Sequence, residues 1–172
     1  MTHEDAQTEV FTGLVLLTGI DKPGIAASLF ETLSPFAVRV IDIEQIVINH
    51  RLILTVLLGA NSAHQSAIED DLTACALALD VDIATLFTKS NLALIPSELI
   101  TVRVSSPKLV PSDLALLADA ISQVHGNIER IQRITAEPVS IEFVVSGVEK
   151  EELSDLLSKI TLENLTETSI TE

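Results

Sequence analysis

The 172-residue sequence predicts an α+β protein built from two copies of one small β-α-β-β-α-β unit, each an antiparallel sheet with both helices on one face. Three observations predict it. The period of the apolar residues switches between that of strands and that of helices, in the same order twice. The two passes superpose when the first is shifted by about 88 positions. Residues 52–58 are apolar at both parities, whereas a sheet with one face in water alternates with polar residues.

Taking the elements in order, residues 11–18 (FTGLVLLT) read as a strand. Ile25, Leu29 and Leu33 then recur at helical spacing, and Pro35 ends that helix. Residues 38–49 are a β-branched run and predict a long strand, with His50-Arg51 as a tight turn into the hairpin partner 52–58. Ile68, Leu72, Cys75 and Leu79 mark a second helix, and 81–87 (VDIATLF) a closing strand. The second pass has a strand at 99–104 and a helix marked by Leu114, Leu117, Ile121 and Val124, closed by Gly126 at the left-handed cap position. Residues 127–136 and 139–146 form a hairpin across Glu137-Pro138. Leu153, Leu156, Leu157 and Ile160 mark a last helix, and 161–172 offer a weak final strand. The organisation expected is a polar tail at 1–10, unit 1 at 11–88, a linker at 89–97 and unit 2 at 98–172.

The repeat is specific in its pairings. Leu16 meets Val104, Pro23 meets Pro111, Leu29 meets Leu117, Leu33 meets Ile121, Val40 meets Ile128 and Ile43 meets Ile131, with no gap from the first strand through the second. Such a unit is the ferredoxin-like split βαβ, which leaves one sheet face uncovered. In 52–58, Leu52, Leu54, Val56 and Leu58 lie on one side and Ile53 and Leu57 on the other. The free face is therefore expected to be buried against another unit, either the second repeat or a partner chain.

Composition excludes several functions. The formal charge is −15, which lacks the counterion-release drive for nucleic acid and disfavours anionic membranes. Tyr and Trp are absent, which removes the aromatic platforms of single-strand binding. One cysteine, Cys75, permits no disulfide within the chain. No apolar run approaches the length of a membrane span, and the acidic N-terminus does not read as a signal peptide, so the cytoplasm is expected. The four histidines have no ligand spacing, so no metal site is expected.

The sharpest local feature is TGIDKPGI at 18–25, joining a strand to a helix. Asp21 is suited to cap the coming helix, Pro23 to pre-set its first turn, and Gly24 to admit a close neighbour. A helix start of this kind receives a carboxylate, and Asp21 could accept from an ammonium. An ordinary capped turn is the alternative reading.

A strand, then D-x-P-G, a helix and a β-branched strand carrying Ile43-Glu44-Gln45 resembles an ACT domain. TGIDKPGIAASLFETLS with VIDIEQIVINHRLILTVLL, and NIERIQRITAEPVSIEFVVSG in the second pass, resemble the two leading ACT domains of bacterial phosphoserine phosphatases. The resemblance implies an allosteric amino-acid effector, serine first and glycine second, at an interface between ACT domains, and a homodimer. Asp21, Lys22, Pro23, Gly24 and Ile25 would form one wall, and Asp42, Ile43, Glu44 and Gln45 of a neighbouring unit the other. In the second pass Leu109 and Ser112 stand where Asp21 and Gly24 do, so that copy lacks the acid and the glycine. A haloacid-dehalogenase-type catalytic domain would follow, beyond the last residue here. No cofactor is expected in this chain, and Mg²⁺ would belong to that further domain.

Asp80-Val81-Asp82 mimics the D-x-D of such phosphatases, but Ala84 stands where Thr or Val should, and a helix rather than a strand precedes it. It reads as a helix end. Glu69-Asp70-Asp71 reads as a solvated helix start complementing the dipole. The chain is thus expected to be non-catalytic. The alternative is a free-standing tandem ACT regulator, resembling the glycine-cleavage repressor and acting through protein partners.

Overall fold

The computed structural model describes residues 10–90, 98–108, 110–159 and 167–171. The chain divides into two compact units, Met1–Leu94 and Ile95–Glu172. Unit 1 runs β1 (Val10–Ile20), α1 (Ile25–Leu33), β2 (Arg39–Ile48), β3 (Arg51–Gly59), a single 3-10 turn, α2 (Gln65–Leu79) and β4 (Asp82–Ser90). Unit 2 repeats it with β5 (Leu99–Ser106), α3 (Pro111–Gln123), β6 (Asn127–Thr135), β7 (Val139–Ser146), α4 (Lys150–Lys159) and β8 (Glu167–Thr171). The strand orders are β2-β3-β1-β4 and β6-β7-β5-β8, all pairs antiparallel. This is the predicted α+β tandem of ferredoxin-like units. The expected tail at 1–10 and linker at 89–97 fall largely outside the described residues, as does Ile160.

Each unit has its own aliphatic core between sheet and helices. In unit 1 Val15 and Leu17 of β1 and Leu52, Leu54, Val56 and Leu58 of β3 meet Ile25, Leu29 and Leu33 of α1 and Ile68 and Leu72 of α2. In unit 2 Val102, Val104, Phe143 and Val145 meet Leu117, Ile121, Leu153 and Leu157. Side chains that alternate along a strand meet residues spaced three or four apart on a helix, which is why both periods were visible in the sequence.

The structure corrects several details. The hairpin turn is Asn49-His50, with φ of 48° and 63° and Ile48 opposite Arg51. This is the two-residue turn whose twist suits a hairpin, one residue earlier than expected. The left-handed residue after α3 is His125, at φ 60°, not Gly126. The amides of His125 and Gly126 donate to the carbonyls of Ser122 and Ile121, the paired bonds of a Schellman cap. Gly126 is needed for packing instead: a Cβ there would sit 2.9 Å from Ile121 Cγ2 and 3.0 Å from Val145 Cγ1. Because α2 starts at Gln65, Glu69-Asp70-Asp71 lies in its second turn, beyond the strongest part of the dipole.

The repeat also slips. Leu16 points to the open sheet face and is 39% exposed, whereas Val104 is 1% exposed in the core. The burial phase pairs Val104 with Leu17, while Leu29 still matches Leu117. The link into α3 is therefore one residue longer than the link into α1, and a gap is required.

Candidate functional site

The candidate site lies where β1 hands over to α1. After Ile20 the chain leaves the sheet, and the Asp21 amide donates to the His50 carbonyl at 2.8 Å, tying this exit to the β2-β3 hairpin. Pro23 and Gly24 form a turn, and Gly24 is the N-cap of α1 at φ 93°, ψ −12°. Proline followed by a glycine near φ +80°, ψ 0° is the signature of a type II turn. Its positive φ, not a crowded neighbour, requires the glycine: a Cβ at Gly24 would meet nothing within 4 Å.

The expected cap is absent. No side chain caps α1, whose first turn carries no acid. Among the described residues the Asp21 carboxylate has no hydrogen-bond partner. Pro23 sits two residues before the helix rather than in its first turn. The first helical bond runs from the Ser28 amide to the Gly24 carbonyl at 3.0 Å, so the amides just before Ser28 have no acceptor within the helix. These amides and the dipole give α1 a positive end with no built-in counter-charge.

A cleft of about 350 Å³ opens here, lined by Asp21, Lys22, Pro23, Gly24, Ile25, Ala26, Ala27, Gln45 and Leu52. It gathers all five residues expected for the first wall. Of the four expected from β2, only Gln45 lines it, and it does so from the same unit. Pairing explains this: Gln45 lies opposite Leu54 and Ile43 opposite Val56, both core-facing, whereas Asp42 and Glu44 lie opposite Leu57 and Thr55 on the open face. Asp42 and Glu44 thus point away from the cleft. Sequence reasoning missed Ala26, Ala27 and Leu52, although the two-residue period of β2 separates 43 and 45 from 42 and 44.

Unit 2 builds this corner differently. Its helix starts at Pro111 with Val110 as N-cap, so Ser112, the counterpart of Gly24, is already helical. Asp113 in the first turn is buried where α1 has Ile25. Leu109 lies outside the described residues. The marked electrostatics of unit 2 are on its sheet. Arg103 Nη2 donates to Glu142 Oε2 at 2.7 Å and Gln132 Nε2 to Glu142 Oε1 at 2.9 Å. The Arg103 hydrogen bond foremost holds the Glu142 carboxyl below the usual range, with burial opposing it. Glu129 is lowered likewise, first by the Ser146 hydroxyl and then by the Asn127 amide.

Asp80 ends α2 in a left-handed conformation at φ 56°, and Asp82 begins β4. This is a helix-to-strand corner, as expected, and not the buried strand end of a nucleophile. Among the described residues no three or more of His, Cys, Asp and Glu gather in a way that could hold a metal ion. No helix among them is long and apolar enough to cross a membrane.

Comparison with known proteins agrees with the fold. Residues 12–85 match the ACT domain family. The chain is 35% identical over 158 residues to a phosphoserine phosphatase of Streptomyces coelicolor, covering 88% of this chain and 37% of that protein. It is 30% identical over 131 residues to phosphoserine phosphatase SerB2 of Mycobacterium tuberculosis, covering 74% of this chain and 32% of that protein. The chain therefore spans about a third of the length of these relatives. In fold it resembles the crystal structure of a protein assigned as a glycine cleavage system transcriptional repressor, with TM-score 0.75 and 14% identity over 94% of this chain and 96% of that one. An unknown protein from Galdieria sulphuraria follows at TM-score 0.67 and 17% identity over 95% and 97%. Residues 12–85 of unit 1 thus match an ACT domain, and unit 2 repeats the same strand order behind it.

Proposed function

We propose that this chain is an amino-acid-sensing regulatory module of a phosphoserine phosphatase, with serine as its first effector and glycine as its second. The observation that carries this reading is the cleft over the start of α1, where an uncapped helix end, a carboxylate without a partner and a short apolar floor lie together. The effector's carboxylate would lie on the amides after Gly24, as anions do at helix starts. Its ammonium would lie against Asp21, and Gln45 would offer an amide to a side-chain hydroxyl. Ile25, Ala26, Ala27 and Leu52 leave room for a small side chain. Serine and glycine fit this volume.

In this reading the working form is a cytoplasmic homodimer without a cofactor of its own. Mg²⁺ and hydrolysis belong to a phosphatase domain outside these 172 residues. Regulation follows if the effector binds one arrangement of units better than another, by its differential affinity for the two. The identity to phosphoserine phosphatases over most of the chain supports that context.

Calorimetry with each common amino acid tests the site. The expected result is binding of serine, weaker binding of glycine, and loss of both in Asp21→Ala and Gly24→Val. Serine binding of undiminished strength in both variants would place the effector elsewhere. The second reading, a free-standing tandem regulator acting through protein partners, is separated by the gene. An Asp-x-Asp-x-Thr strand motif encoded after Glu172 supports the phosphatase, and a stop codon there supports the regulator.

A further inference from the structure

The open sheet faces of the two units differ in chemistry. In unit 1 this face presents Leu14, Leu16 and Ile20 of β1, Ile46 and Ile48 of β2, and Leu86 of β4, all exposed. Their exposure runs from 38% at Leu14 to 62% at Leu86. Together they leave on the order of 500 Å² of aliphatic surface in water, the upper end of what a monomer carries. In unit 2 the same face is mostly polar apart from Leu99, with Arg103 bound to Glu142 and Gln132 beside them.

Burial of six such side chains is favourable at roughly 25 cal/mol per Å². With a polar rim the face approaches the roughly 800 Å² per partner of a standard interface. Within this chain the matching face of unit 2 is a poor complement, because covering Arg103 and Glu142 with leucines would strip them of water. A second copy of unit 1 offers an aliphatic surface of the same extent.

The charges on the face favour that occupant too. Arg51 lies at the hairpin end, opposite Ile20 and Ile48. Asp42 lies toward the other end, opposite Leu57, with Glu44 next to it on the same face. A two-fold axis that reverses strand direction brings Arg51 of each copy toward Asp42 of the other, at both ends at once. Such self-complementarity is what an isologous contact requires.

We propose that the open face of unit 1 is a homotypic docking surface, through which two copies of this chain associate sheet on sheet with Arg51 of each toward Asp42 of the other. The inference rests on the homodimer part of the proposed function and is independent of the effector. Aligned sheets of this kind pack about 10 Å apart, with side chains interdigitating.

Sedimentation velocity on the 172-residue chain tests it. Wild type is expected to be a dimer at about 10 µM, with Leu86→Glu and Ile48→Glu each weakening it at least tenfold. Both positions are more than half exposed, so circular dichroism is expected to show wild-type folding. Arg51→Asp is expected to weaken the dimer and the added Asp42→Arg to restore it. A monomeric wild type overturns the dimer reading and this surface together. A dimer untouched by Leu86→Glu and Ile48→Glu overturns the surface alone. Should either leucine or isoleucine variant unfold, wild-type affinity in both Arg51→Asp and the double variant has the same meaning.

Discussion

At Gly24 the backbone, not the surroundings, sets the residue type. With φ at 93° and open space where a Cβ would go, Gly24→Ala meets no clash but forces an L-residue into the left-handed region. We expect a loss of about 1–2 kcal/mol in urea unfolding. The motif was legible in the sequence as a strand-to-helix turn, but the role of each member was not. Aspartate before a helix suggests a cap, and only the backbone shows that the turn is complete before the helix begins. The Arg103–Glu142 pair was not legible at all, because its members are 39 residues apart and meet only through the β5-β7 register. Glu142 titrates below the ordinary carboxylate range in the folded protein. Its contribution to stability is therefore present above the unfolded-state pKa and lost as pH falls through the folded one. Carbon-detected NMR titration is expected to find that low midpoint in wild type and to see it rise toward the ordinary value in Arg103→Ala.

At the scale of elements, the end of α3 separates two reasons for an unusual residue. His125 holds the left-handed position and Gly126 the crowded one. His125→Gly relieves the strain and is expected to stabilise by up to about 1 kcal/mol. Gly126→Ala drives a methyl into Ile121 and Val145 and is expected to destabilise by about 1–3 kcal/mol. Thermal melts of the two variants should thus move in opposite directions. Most helices and strands were readable because the helices bury one stripe and β3 buries one parity. The phase of β1 was not, since Leu14 and Leu16 on the open face are as aliphatic as Val15 and Leu17 in the core. The same exposed leucines that suggest a docking surface thus concealed the one-residue slip between the repeats. β2 hid its facing for a related reason: as an edge strand it is exposed on both sides, so apolar residues stand at both parities.

For the molecule as a whole, duplication supplied two scaffolds and divergence separated their surfaces. Unit 1 keeps the glycine turn, the uncapped helix start and an apolar open face. Unit 2 has a helix that begins at Pro111, a buried acid in its first turn and a mostly polar open face. The tandem architecture was legible because a repeat shows itself without any knowledge of contacts. The cleft was only half legible, because Gln45 and Leu52 reach it through strand register. In the proposed function a single cleft on unit 1 holds a small amino acid. Titration calorimetry of the chain with serine tests it most directly. One serine per chain is expected, with binding lost in Asp21→Ala and Gly24→Val. Two equal sites per chain, or full-strength binding in both variants, would contradict it.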